Sequence, residues 1–221
     1  MPHFAAYYRS YVIERQLGLP PRARRILDVG TDDGYLMRKV AAPLRLGIDL
    51  APRLRPDDAI AVARASATAI PAAAASFDVV LAFDVLEHVA DDRAMLREIC
   101  RVLAPGGALY FSTPALAFRF HPAFLTPYTN RSFGHVRNGY TVPQLQALLP
   151  ADFALETFFW NEPALRASFA ALHFLQMVAP MAAAALTRLC YRIDANRRAG
   201  ERGHIFGVVR RPDGGASAGG R

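Results

Sequence analysis

The chain reads as a doubly wound α/β fold, a largely parallel sheet of seven strands with helices on both faces. Three observations predict it. Short apolar runs alternate with helical patterns from residue 25 to residue 113. One of them, FDVVLAF (77–83), is unbroken, as expected of a strand covered on both faces. The first run passes directly into a glycine turn, DVGTDDG (28–34), with a helical pattern behind it.

Taken in order, FAAYYRSYVIERQL (4–17) has the apolar spacing of an amphipathic helix, closed by Gly18 and Pro20–Pro21. RILDVG (25–30) is the first strand, and DGYLMRKVA (33–41) reads as a helix that Asp33 is placed to cap. LRLGIDL (44–50) and AIAVARA (59–65) are strands, joined by APRLRPDD (51–58), too short for a crossover helix. After FDVVLAF, DDRAMLREICRVLA (91–104) puts Met95, Ile99, Val102 and Leu103 on one helical face with Asp91 as N-cap. PGG (105–107) stops that helix, and ALYFST (108–113) is the fifth strand. Residues 114–140 form a long loop, and Thr141 caps the short helix TVPQLQALLP. FALETFFW (153–160) and HIFGVVRR (204–211) complete the sheet, with a mostly apolar helical insert at about 162–197 between them. One domain is expected over 1–211, followed by a disordered tail, 212–221.

The 221 residues fit one domain, and 52 % hydrophobic residues supply a substantial core. Lys plus Arg is 26 against 19 Asp plus Glu, a net charge of +7, and Lys39 is the sole lysine. No block of like charge marks a nucleic-acid arm, so no nucleic acid is expected as partner. Cys100 and Cys190 lack metal-ligand spacing, and Cys100, on the apolar side of a predicted helix, reads as a buried thiol, which makes the cytoplasm the expected compartment. The amino terminus lacks the pattern of a signal peptide.

In a doubly wound sheet, ligands bind beyond the carboxyl ends of the strands. Four such ends carry informative residues: Gly30 to Gly34, Asp49, Ser66–Ala67 and Phe83–Asp84. Gly30 admits a close ligand, and the helix start beyond it attracts an anion. Asp49, 19 residues after Gly30, suits a ribose diol. A dinucleotide is the first rival, but the loop is G-x-x-x-G with Asp32 where a pyrophosphate would approach, and like charges repel. A cofactor with a carboxylate, an ammonium and a sulfonium suits an acidic loop better.

The series ILDVGTDDG, LGIDL, SFDVVLAFDVLEHV and LREICRVLAPGGALYFSTP resembles class I S-adenosylmethionine-dependent methyltransferases of the broad type-11 group, strongly over about 22–115. The resemblance implies a Rossmann-like sheet whose last two strands form an antiparallel edge hairpin. It implies S-adenosyl-L-methionine as cofactor, with Asp28, Gly30, Thr31, Asp32 and Gly34 around its methionine part. It places Asp49 on the ribose, Leu50, Ser66 and Ala67 about the adenine, and Ala82 and Phe83 near the sulfonium. Asp32 and Ser66 depart from the family, which usually has glycine and often an acidic residue there. The implied function is methyl transfer to a small-molecule or lipid-/glycan-linked acceptor at oxygen. The alternative is a non-catalytic scaffold with a degenerate cofactor site.

The acceptor is expected under residues 121–140. His135 and His88 are the candidate bases, and His121, Tyr128, Arg131, Arg137 and Tyr140 are candidates to hold the acceptor. No ligand pair has helical spacing, so no metal is expected. The insert carries no formal charge from Ala167 to Thr187, then Arg188, Arg192, Arg197, Arg198 and Arg202. His173, Gln176 and Pro180 interrupt it, which argues for a helical hairpin packed on the domain rather than a membrane span. A lid or a homodimer contact are its expected uses, with peripheral membrane contact as the alternative.

Overall fold

The computed structural model describes residues 4–54, 60–119, 123–195 and 202–213. One sheet contains β1 (Arg25–Val29), β2 (Leu44–Asp49), β3 (Ile60–Arg64), β4 (Phe77–Phe83), β5 (Leu103–Pro114), β6 (Ala154–Trp160) and β7 (His204–Arg210). The helices are α1 (Phe4–Val12), α2 (Asp92–Val102), α3 (Thr126–Ser132), α4 (Val142–Leu148), α5 (Pro163–Ala167), α6 (Phe169–Val178) and α7 (Pro180–Ala195). The strand order is β3-β2-β1-β4-β5-β7-β6. β1 to β5 run parallel, and β7 lies antiparallel between β5 and β6. This is the Rossmann-like sheet with an antiparallel edge hairpin that the sequence led us to expect.

Alternation along the strands divides the core in two. Ile26, Val79 and Leu81 face the layer built by Phe4, Tyr8 and Ile13 with Leu172 and Tyr191 of the insert. Leu27, Val80 and Ala82 face the layer of Met95, Ile99 and Leu145. The central run FDVVLAF is therefore covered on both sides, which explains why it is apolar throughout. The chain leaves β1 towards β2 and β3, then returns to β4 on β1's other side. That reversal opens a crevice at the carboxyl ends of β1 and β4.

Two cappings form as expected. Asp91 accepts from the Ala94 amide at 2.8 Å at the start of α2. Thr141 and Gln144 form a reciprocal capping box at the start of α4.

Three elements differ from the sequence reading. Residues 33–41 do not form an α-helix; a single 3-10 turn, Met37–Lys39, stands there. Asp33 accepts from Tyr35, two residues on, and Asp32 and Gly34 both take positive φ, which breaks the helical path. β5 begins at Leu103, ahead of PGG, with a register shift against β4 that accommodates the extra residues. The loop 114–140 contains a 3-10 turn, Ala123–Leu125, and α3. The helical insert is present as α5, α6 and α7. Residues 55–59, 120–122, 196–201 and 214–221 lie outside the described residues, so His121, Arg197, Arg198 and most of the expected tail are not placed.

Candidate active site

A cleft of about 580 Å³ opens at the carboxyl ends of β1 to β4. Gly30, Asp49, Leu50, Ser66, Ala67 and His88 line it, as do Asp84, Val85 and Asp91. Its volume falls in the usual range for small-molecule sites, roughly 300–1,000 Å³. The first loop is fixed on β2 by the amides of Gly30 and Thr31, which both donate to the Ile48 carbonyl, at 2.8 and 3.1 Å. Gly30 has φ +73°, and a Cβ there would meet Val85 Cγ2 at 2.6 Å. Only glycine lets the loop and the turn after β4 approach this closely.

Asp49 is aimed by backbone donors. Its carboxylate accepts from the Ala51 amide at 2.9 Å and the Asp32 amide at 3.3 Å. Its charged neighbours in the lining are Asp84 and Asp91, and among the described residues neither lysine nor arginine lines the cleft. An all-carboxylate lining repels a pyrophosphate and suits a ribose diol beside an ammonium or a sulfonium. The donor set therefore fits S-adenosylmethionine and not a dinucleotide.

Asp32 loses its menace in three dimensions. Its side chain is half exposed, does not line the cleft, and forms a two-pronged ion pair with the Arg53 guanidinium. Its carbonyl accepts from the amides of Arg53 and Leu54, at 3.2 and 2.7 Å, so this turn also anchors the connection after β2. Its φ of +46° is one that a short polar residue tolerates. Ser66 lines the cleft, and its hydroxyl lies 2.8 Å from that of Thr68.

Asp28, Thr31 and Gly34 support the cleft without lining it. Asp28 is buried, and burial pushes its carboxyl up to about 7, with Asp33, Asp49 and Asp32 adding to the rise and the Thr31 hydroxyl, at 3.1 Å, opposing it. Gly34 packs on Leu54, whose Cδ2 would lie 2.8 Å from an added Cβ. Ala82 and Phe83 do not line the cleft either. Ala82 is fully buried towards α2, and Phe83 packs towards α1. The chain turns at Asp84, with φ +52°, so Asp84 and Val85 take their place.

Asp84 marks the passage from the cofactor side to the acceptor side. Ser112 donates to it at 2.7 Å, and Arg9 of α1 pairs with it. Burial alone would raise its pKa, but the Arg9 guanidinium and the Ser112 hydroxyl hold the carboxyl below the usual range. Arg9 also reaches His204 Nε2 at 3.1 Å, while His204 Nδ1 lies 2.7 Å from Glu162. Arginine can only donate, so Nε2 accepts from Arg9 while Nδ1 faces the Glu162 carboxylate. Sequence reasoning missed Arg9, Glu162 and His204; the one local signal was a charged Arg9 beside the buried Tyr8 and Val12 of α1.

The turn after β4 brings Glu87, His88 and His135 together, with candidate ligand atoms all within 4.8 Å of one another. Spacing in the sequence did not reveal this grouping. Glu87 is buried, and burial with the nearby Asp84 charge pushes it up to about 8; Thr113 donates to it at 3.1 Å. His135 is pushed down to about 4 by burial and the neighbouring His88, so it is neutral at pH 7. The two imidazoles meet edge to face at 4.7 Å. His88 Nδ1 lies 3.3 Å from the Gly134 carbonyl, which can only accept, so the proton sits on Nδ1 and Nε2 is the ring's acceptor.

Two residues expected to hold the acceptor, Arg137 and Tyr140, have partners within the fold. Arg137 pairs with Asp92 and donates to the carbonyls of Val89 and Ala90 at 2.7 and 2.8 Å. Tyr140 is buried and donates to Asp92 at 2.9 Å. Both clamp the 130s segment to the start of α2. Tyr128 and Arg131 stand exposed on α3.

Residues 1–157 match a family model described as a methyltransferase domain. The chain belongs to that methyltransferase family. A ubiquinone biosynthesis O-methyltransferase of Cereibacter sphaeroides is 38 % identical over 107 residues, 43 % of each chain. One of Parvibaculum lavamentivorans is 31 % identical over 135 residues, 51 % of this chain and 52 % of the relative. The chain thus spans about half the length of the curated relatives it matches. An S-adenosylmethionine dependent methyltransferase from Mesorhizobium loti superposes with TM-score 0.61 at 20 % identity, over 95 % of this chain and 98 % of that one. A Haemonchus contortus phosphoethanolamine N-methyltransferase, in complex with S-adenosyl-L-methionine, gives 0.62 at 16 % identity, over 93 % and 52 %.

Proposed function

We propose that the methyltransferase acts on a hydroxyl of a small or lipid-/glycan-linked acceptor, a phenolic hydroxyl being the first choice. The observation that carries this reading is His88, which lines the cleft with Nδ1–H held by the Gly134 carbonyl and Nε2 left to accept a proton. The relatives named as O-methyltransferases support oxygen as the acceptor atom.

S-adenosylmethionine, when bound, supplies a methyl on a sulfonium. The chain's own contribution is placement: Asp49 for the ribose, with Leu50, Ser66 and Ala67 about the adenine. Alignment of this kind can be worth roughly 7–11 kcal/mol. His88 Nε2 takes the acceptor's proton as the oxygen–carbon bond forms and the carbon–sulfur bond breaks. His135 packs on its edge and keeps the imidazole oriented. Turnover with a simple catechol tests this. His88→Ala should lower kcat by roughly 10²–10⁴ with the Kd for S-adenosylmethionine unchanged. Full activity in that variant would refute His88 as the base.

A further inference from the structure

Beyond the cleft, the insert presents a surface that the methyl-transfer reading leaves unused. Among the ten residues of α6, Leu172 alone is buried. Phe174, Met177 and Val178 stand exposed on it, and Met181, Leu189 and Ile193 on α7. Met181 at the hairpin tip is 70 % exposed and Met177 67 %. Met181, Leu189 and Ile193 recur at multiples of four, so they share one face of α7. Arg188 and Arg192 flank that face and are exposed. From Glu162 to Ala195 there are two acidic residues, Glu162 and Asp194, and both are buried, at 3 % and 1 % exposure. Tyr8 donates to Asp194 at 2.7 Å, and Glu162 meets His204.

The outer face of the insert is thus apolar and cationic, with its carboxylates turned inward. A second copy would set arginine against arginine with no exposed carboxylate of the insert to meet it. An anionic bilayer complements both features: apolar side chains enter the acyl boundary and arginines rest among headgroups. No helix among the described residues is long and apolar enough to cross a membrane, so the contact lies in the interface plane. We propose that α6 and α7 seat this methyltransferase on an anionic lipid surface.

Aromatic rings join that surface to the cleft. Phe169 of α6 lies 6.5 Å from Phe133, which lies 6.2 Å from His135, which meets His88. On the O-methyl transfer reading, a bilayer-dissolved acceptor would reach His88 along this track; the surface proposal does not depend on it.

Flotation of the full chain on vesicles tests the proposal without any acceptor. Binding to equal parts of phosphatidylglycerol and phosphatidylcholine should exceed binding to phosphatidylcholine alone by roughly tenfold or more. Met177→Glu with Met181→Glu should weaken it by roughly tenfold, with S-adenosylmethionine affinity retained as proof of fold. Arg188→Gln with Arg192→Gln should erase the preference for anionic lipid, an outcome that decides the matter should the glutamates disturb folding. Failure to float with anionic vesicles would overturn the proposal. So would binding that neither variant changes, or a dimer that Met177→Glu disperses in a protein that ignores lipid.

Discussion

The cofactor side of the site is tied by bonds between residues 2, 3, 17 and 21 positions apart: Ala51 to Asp49, Thr31 to Asp28, Asp32 to Asp49, and Arg53 to Asp32. On the acceptor side the separations are 45, 46, 152 and 195, for Arg137 to Asp92, His88 to Gly134, Trp160 to Tyr8, and Arg9 to His204. The first side is a run of strand ends in chain order, each decorated by its own turn. The second is assembled from α1, the 130s segment and the insert, and exists only once the whole chain has folded. The family match takes in α1 and the 130s segment but ends at residue 157, ahead of the insert.

The largest expected effect breaks the long-range wall. Arg9→Met leaves Asp84 without its main counter-charge in a largely buried site, where the pair's side chains are 19 % and 20 % exposed. Removing one partner of a buried pair costs about 3–5 kcal/mol, and residual solvent access places this one near the lower figure. Urea unfolding should show it. In the double variant Arg9→Met/Asp84→Asn much of the loss should return, since no uncompensated charge remains. Equal losses in the single and double variants would show that Arg9 acts through packing rather than charge.

That contrast also explains what the sequence revealed. All seven strands were legible because burial on one or both faces writes itself into every second or every residue. Asp49 and Ser66–Ala67 were legible because strand ends recur at known intervals. The helix 33–41 was misjudged because its apolar spacing is sound while its entry is not: Asp32 and Gly34 take positive φ. The contacts of Arg137 and Tyr140 with Asp92 were not legible, because polar residues in a loop give no sign of a partner 45 or 48 positions away. For the Arg9–Asp84 pair the one local signal was a charge on a buried helix face, and nothing local announced that His135 would join Glu87 and His88, since the partners come from elements the fold brings together.

The next effect probes the short-range side and should leave the other untouched. Asp49→Asn keeps an acceptor for the Ala51 amide but removes the charge proposed to hold the ribose. Hydrogen bonds to a charged group are worth about 1.5–3 kcal/mol each, so roughly ten- to a hundredfold in Kd for S-adenosylmethionine is expected by calorimetry. Stability in urea should change little. An unaltered Kd would remove Asp49 from the ribose; a collapse in stability would mean that this side, too, is a long-range structure.

The smallest effect concerns the residue that most separates the loop from its family. Asp32→Gly deletes the ion pair with Arg53, whose members are 48 % and 72 % exposed. Exposed pairs contribute about 0–1 kcal/mol, because water screens them and two long side chains must be held still. Glycine meanwhile adopts φ +46° without the strain an L side chain carries, a gain that offsets the loss. The Asp32 amide that donates to Asp49 and the carbonyl that receives Leu54 belong to the backbone and survive the change. Urea midpoint and cofactor Kd should both stay close to wild type. A large gain in affinity would mean instead that the carboxylate turns into the cleft when cofactor arrives and repels its carboxyl group, and that the Arg53 pairing does not hold it. A large loss would mean that Asp32 binds the cofactor's ammonium directly. Near-neutrality is the outcome that fits a carboxylate facing solvent, and it would show that the loop's function resides in its backbone path rather than in the side chain at this position.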